Sequence, residues 1–126
     1  MSTKNELARR LPTLRRQLLD HRRALFARVA RTEDDLRFLG ANVESQPEEE
    51  AQEETTAQLL LRLDDLGKIE ITAIDAALAR MARGEYGSCT RCGATIPWTR
   101  LEALPEAREC VPCATTAGPS SRRSRP

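Results

Sequence analysis

Residues 84–113 read G-E-Y-G-S-C-T-R-C-G-A-T-I-P-W-T-R-L-E-A-L-P-E-A-R-E-C-V-P-C and hold all four cysteines of the chain, Cys89, Cys92, Cys110 and Cys113. Two CxxC pairs with 17 residues between them lie inside the spacing of zinc sites. Each pair bends back so that two thiolates meet one cation, and two such knuckles complete a tetrahedral S4 shell. Gly87 and Gly93 flank the first knuckle and supply the backbone freedom that it needs. Four thiolates leave no open position for water, so the expected cofactor is one structural Zn2+; an S4 shell also suits iron. Paired disulfides are disfavoured in a chain without an export leader, and a redox pair of the thioredoxin kind wants a strand-to-helix setting that neither CxxC has. The metal also answers a stability problem. Ile96, Trp98, Leu101, Leu104 and Val111 are too few to fold this segment alone, whereas a structural zinc site contributes about 10–16 kcal/mol of apparent binding energy.

Upstream of this knob the pattern is helical. Leu7, Leu11, Leu14, Leu18, Leu25, Val29, Leu36 and Leu39 recur at spacings that fill to three and four if His21 and Thr32 also lie on the seam. The spacing slips once across His21, Leu25 and Val29, as in a coiled-coil stutter. Proline is tolerated in the first turn of a helix, so a helix from about Pro12 to Leu39 is predicted. A second stripe, Leu60, Leu63, Gly67, Ile71, Ile74, Leu78 and Met81, predicts another helix, continuous through Gly67 and closed by Gly84. The short polar connection at 40–46 makes the two helices antiparallel neighbours in one monomeric hairpin, since a tethered partner outcompetes a second chain. The expected fold is therefore mainly α: residues 1–83 form a long antiparallel helical hairpin, a coiled coil with an acidic tip near 40–51. Residues 84–114 form a C4 zinc-finger globule. Residues 115–126, with no apolar residue larger than Ala, form a disordered basic tail.

Composition narrows the function. The chain has 126 residues, 31% charged and 3% aromatic, which suits a thin helical protein better than an enzyme of ordinary size. Residues 41–66 hold eight acids against one base, a cluster that repels phosphate and argues against sequence-specific DNA binding. No apolar run spans a membrane or resembles a leader peptide, so a soluble cytoplasmic protein is expected. His21 is the sole histidine and falls on the seam, and every cysteine is taken by the metal; no catalytic group is expected.

The residues Gly84, Tyr86, Gly87, Cys89, Cys92, Gly93, Ile96, Arg100, Leu101, Ala103, Pro105, Ala107, Cys110 and Cys113 together resemble the zinc-finger signature of the DksA/TraR family. The resemblance implies a coiled-coil rod on a C4 zinc globule. It also implies a transcription regulator that binds core RNA polymerase and inserts the coiled-coil tip into the secondary channel, through which nucleotides reach the active site. The family's founding member carries D-x-x-D-x-A at the tip. Counting back from Cys89 without gaps places Q-P-E-E-E-A there, so Gln46 and Glu49 stand at the Asp positions, Glu48 lies between them, and Ala51 matches the Ala. Two other readings fit the same residues: an adaptor module that binds another protein through the hairpin, and a thiol-based redox or zinc sensor.

Overall fold

The structure, a computed structural model that describes residues 3–40 and 49–116 with side chains over 5–40 and 53–116, is mainly α. Where two long helices were expected there are four: α1 (Thr3–Ala27), α2 (Glu33–Gly40), α3 (Glu49–Arg62) and α4 (Asp65–Arg83). Two short helices, α5 (Trp98–Ala103) and α6 (Val111–Thr116), follow in the cysteine-bearing segment. Among the described residues, extended pairing is confined to a single antiparallel bridge between Ser88 and Thr95. Gln46 and Glu48 lie outside the described residues, as does the tail from 117 onward. Thr115 and Thr116, assigned to the tail by sequence, close α6 instead. No described helix is long and apolar enough to cross a membrane.

Local capping chemistry explains both interruptions. After Ala27, Val29 N–H bonds to the Phe26 carbonyl at 3.1 Å, a tightened turn that ends α1. The chain then restarts at Thr32, whose Oγ1 accepts from Asp35 N–H at 3.0 Å while Asp35 Oδ2 accepts from Thr32 N–H at 3.2 Å. This is a reciprocal capping box, followed by the acids Glu33, Asp34 and Asp35 at the positive end of the helix. The second helix is continuous through Gly67, as predicted, but it is interrupted just before that residue, at Leu63 and Asp64. Asp64 Oδ1 accepts from Gly67 N–H at 2.7 Å and its carbonyl accepts from Lys68 N–H at 3.0 Å, so Asp64 caps α4. Gly67 is buried within the first turn, where an added Cβ would lie 3.1 Å from Leu63 Cδ2. Each cap of this kind contributes about 0.5–2 kcal/mol, enough to outweigh a periodic stripe on an exposed helix.

The interruptions also reset the helical phase. Leu59 is fully buried where Leu60 was expected, Phe26 is buried beside Leu25, and Thr32 and Leu36 are exposed rather than on a seam. His21 is half-buried. The chain forms two compact units, one gathering the described residues of 1–18 and 73–126 and the other those of 19–72. The boundary passes through α1 and α4. In the second unit the buried apolar residues are Leu25, Phe26, Leu59, Leu63 and Ile71, and the Phe26 and Phe38 rings meet edge-on at 6.2 Å.

The first unit joins the N-terminal helix to the cysteine-bearing segment. Its core includes Leu7, Leu14, Leu18, Ile74, Ala77, Ile96 and Leu101. The helix α1 starts at Thr3 rather than at Pro12 because what precedes the proline has a tertiary partner. Leu7 packs on the backbone of Gly87, and the Arg10 guanidinium lies 4.0 Å from the centre of the Trp98 ring. Burying a leucine contributes about 1.5–3 kcal/mol, of the same size as the cost of a proline inside a helix, about 3 kcal/mol. Gly84 caps α4 as the sequence predicts. At φ +74° it lets Glu85 N–H reach the Arg80 carbonyl at 2.8 Å while its own N–H reaches Met81, the Schellman pattern.

Two outcomes follow from this packing. Gly87 combines φ +96° with Leu7 Cδ2 only 2.3 Å from where a Cβ would sit. Gly87→Ala is expected to destabilise the first unit by about 2–4 kcal/mol through backbone strain and overpacking, measured by chemical denaturation. Asp35 is held well below its ordinary 3.8, at about 2, first by the Arg31 N–H and then by Arg62, against the opposing effect of burial. A depressed carboxyl pKa adds stability that is complete above about pH 4 and disappears as pH falls through about 2. Acid titration of thermal stability is therefore expected to show a loss in that window for the wild type that Asp35→Asn lacks.

Candidate metal centre

The chain reverses twice to bring its cysteines together. Around the first knuckle, Cys89 N–H donates to the Ala94 carbonyl at 2.7 Å and Gly93 N–H donates to the Cys89 carbonyl at 2.9 Å. Gly93 makes this turn at φ +81°, a region that side chains rarely tolerate. Arg91 N–H points at Cys89 Sγ, 3.4 Å away, as backbone donors do around thiolates that hold a metal. The second knuckle runs into α6, where Ala114 N–H bonds to the Cys110 carbonyl at 2.9 Å. Thr90 N–H ties the two knuckles by donating to the Arg108 carbonyl at 2.8 Å.

The sulfurs of Cys89, Cys92, Cys110 and Cys113 all lie within 4.8 Å of one another, and Cys92 Sγ is 3.7 Å from Cys110 Sγ. A tetrahedron with metal–sulfur bonds of about 2.3 Å has sulfur–sulfur edges of about 3.8 Å. The donors therefore fit one zinc ion held by the four cysteines, as their spacing predicts. Among the described residues this is the one cluster of His, Cys, Asp or Glu placed to hold a metal. His21 is not in it. Cys89 and Cys110 are buried, Cys113 is half-buried and Cys92 is exposed. A bound zinc would supply no catalysis here, because all four positions are filled by protein.

The electrostatics favour a cation. Burial pushes the Cys89 thiol up, but the backbone N–H groups of Cys110, Cys92 and Arg91 together outweigh it and bring the thiol down to about 6. Cys113 moves the other way, up to about 12, chiefly because of its hydrogen bond to Cys110 and then because of burial. Four neighbouring thiols do not all ionise against one another, whereas a divalent ion makes every one a thiolate.

Side chains beyond the sulfurs hold the knuckles in place. Arg100 Nε donates to the Glu109 carbonyl at 3.0 Å, next to Cys110, and the Glu109 carboxylate lies 3.7 Å from the Arg91 guanidinium. Tyr86 is buried, with its hydroxyl donating to the Pro105 carbonyl at 2.7 Å, and burial raises its pKa to about 12. Arg80, also buried, reaches the Ala107 carbonyl at 3.5 Å. Tyr86, Gly87, Gly93, Ile96, Arg100, Leu101, Pro105 and Ala107 of the sequence signature are thus accounted for by turns, core and carbonyl anchors around the metal site. The tertiary partners of Arg80 and Arg91 are not legible in the sequence, where Arg80 reads only as a basic residue in the last turn of its helix. Nothing local marks a lone arginine as the partner of a carbonyl or an acid that lies far along the chain. Of the expected tip residues, Glu49 and Ala51 fall in the first turn of α3.

Comparison with known proteins places these residues. Residues 84–117 match the model of the prokaryotic dksA/traR C4-type zinc finger. Over 108 residues the chain is 34% identical to an uncharacterized protein of Aquifex aeolicus, a match that covers 82% of this chain and 73% of the other. It is 35% identical over 107 residues to the RNA polymerase-binding transcription factor DksA of Escherichia coli K12, covering 85% of this chain and 70% of that one. The solved structure of transcription factor DksA2 from Pseudomonas aeruginosa superposes with a TM-score of 0.52 at 27% identity, covering 91% and 85% of the two chains.

Elemental analysis of the purified chain is expected to find one zinc per molecule. Cys110→Ser should abolish tight zinc retention and unfold the cysteine-bearing segment, with a red shift in emission from Trp98, the only tryptophan. Much of the far-ultraviolet helical signal should persist, because α2 and α3 pack on each other apart from the metal.

Proposed function

The chain belongs to the DksA/TraR family of C4-type zinc-finger proteins, and from that premise we propose that it is a bacterial transcription regulator that binds core RNA polymerase. The observation that carries this reading is the extent of the likeness to DksA of Escherichia coli, 35% identity across 85% of the chain, which includes the helices as well as the zinc finger. In this reading the protein is a cytoplasmic monomer and not an enzyme. Cys89, Cys92, Cys110 and Cys113 hold a structural zinc, and the helical segment delivers the tip near 40–51 into the polymerase's secondary channel.

The charge distribution supports that route. In the sequence, Glu44, Glu48, Glu49, Glu50, Glu53 and Glu54 all fall within residues 44–54, with no basic residue among 41–61. Carboxylates so concentrated are drawn towards the metal ion and basic loops of a polymerase active site, and they steer docking even where each adds little affinity. We assign Gln46, Glu48, Glu49 and Ala51 to the contact. The exchange of two Asp for Gln46 and Glu49 removes one charge and lengthens the other side chain, which predicts channel entry with a weaker effect on initiation.

Intact protein is expected to retain core RNA polymerase in a pull-down, and a variant with residues 40–51 replaced by a neutral loop is expected to lose it. Glu48→Ala with Glu49→Ala should leave thermal stability within about 0.5 kcal/mol and yet change transcript yield in multi-round transcription. Gln46→Asp with Glu49→Asp should strengthen the effect. A set of variants indistinguishable from wild type in both assays refutes the channel reading.

A further inference from the structure

The helix α2 has eight residues, and Asp35 is the only one of them that is fully buried. Leu36 is 62% exposed, and Phe38 and Leu39 are half-buried. Apolar packing therefore gives α2 only a weak grip on α3, the helix against which it lies. What joins them directionally is a polar cluster. Arg62, the last residue of α3, uses a single nitrogen, Nη1, to donate to Asp35 Oδ2 at 2.6 Å and to the Val29 carbonyl at 3.1 Å. The Val29 carbonyl lies just past the end of α1, where helix carbonyls run out of partners. Asp35 Oδ2 also takes the N–H groups of Arg31 at 2.9 Å and Thr32 at 3.2 Å. At the other end of α2, Arg23 Nε from α1 donates to the Leu39 carbonyl at 2.8 Å.

One cluster thus links the end of α1, the start of α2 and the end of α3. Apolar contacts allow a helix to slide or roll at little cost, but a buried carboxylate cannot leave its donors without losing hydrogen bonds that water does not replace. Buried ion pairs are often no more stabilising than apolar replacements, and their best-attested use is to select one register. We propose that the Arg62–Asp35–Val29 cluster is a register lock: it fixes α2 on α3 and so sets the relative positions of Gly40 and Glu49, the two ends of the segment that carries the acidic tip. Arg62 and Asp35 are then positioning residues. The lock is a property of the fold alone; its consequence for transcription rests on the polymerase reading above.

The test measures position and function separately. Spin labels are introduced on non-natural amino acids at the exposed positions Arg37 and Gln58, because thiol chemistry would attack the four cysteines. The distance distribution is read by pulsed electron resonance in the wild-type, Arg62→Met and Arg62→Lys backgrounds, and the unlabelled proteins are compared for binding to core polymerase. Arg62→Met leaves the Thr32–Asp35 capping box intact and removes only the link across helices. It is expected to broaden the distribution and to weaken polymerase binding about fivefold, or about 1 kcal/mol. Arg62→Lys, whose ammonium can donate to both oxygens, is expected to keep both properties near wild type. If Arg62→Met does not fold, Arg62→Met with Asp35→Asn is read in its place, since it strands no charge and keeps an oxygen for the Arg31 and Thr32 amides. A distribution as narrow as wild type in the Met variant overturns the lock. A broadened distribution with unchanged polymerase binding overturns the positioning role. If the wild type itself does not bind polymerase, the functional reading fails and the distances alone judge the lock.

Discussion

Four sulfurs that must meet at one cation constrain the segment after α4 more than any other interaction. Residues 84–116 bury few large apolar side chains, chiefly Tyr86, Ile96 and Leu101, which is too little to offset the conformational entropy of ordering the backbone. The metal site replaces a core. Its demands account for the neighbouring residues: Gly93 to reverse the chain at positive φ, backbone N–H groups aimed at a thiolate, and Arg100 and Tyr86 anchored on carbonyls so that the two knuckles stay opposed. Leu7 and Arg10 of α1 then cover the finger, at Gly87 and Trp98.

The helices away from the metal obey a different constraint. Their apolar stripes are narrow, and polar side chains decide where α2 and α4 start. Thr32 with Asp35, and Asp64 with Gly67, satisfy amides that a continuous helix would have paired internally. The cost of breaking the helix is small once the freed groups have partners. Asp35 is then both the cap of one helix and the ligand of an arginine on another, so a local feature acquires a long-range role.

These two constraints divide the work that the family likeness implies. With its four cysteines on one ion the metal centre has no vacant coordination position and serves the fold, while in the proposed function the acidic segment at the start of α3 carries the charge drawn to the polymerase channel. Of the helices flanking that segment, α2 is the one with the thinnest apolar grip, and there the structure spends an arginine and a buried acid to hold it.

Much of the site was readable from the chain alone. The cysteine spacing, the turn glycines and the C-cap at Gly84 depend on covalent geometry and on φ values that few residues can adopt, so residue type and interval determine them. The mainly helical class followed from periodicity. The places where the helices break did not. Thr32 reads as a seam position and Asp64 as an ordinary polar residue until their caps, on Asp35 and Gly67, are weighed against the stripes; partners far along the chain then hold Asp35, through Arg62, and the helical turn around Leu7, through Gly87. Burial of Leu59 in place of Leu60, and exposure of Leu36, follow from the same resets of phase. Spacing and local conformation are written in consecutive residues. The start of α1 and the buried faces of the helices were decided by contacts that exist only once the chain has folded.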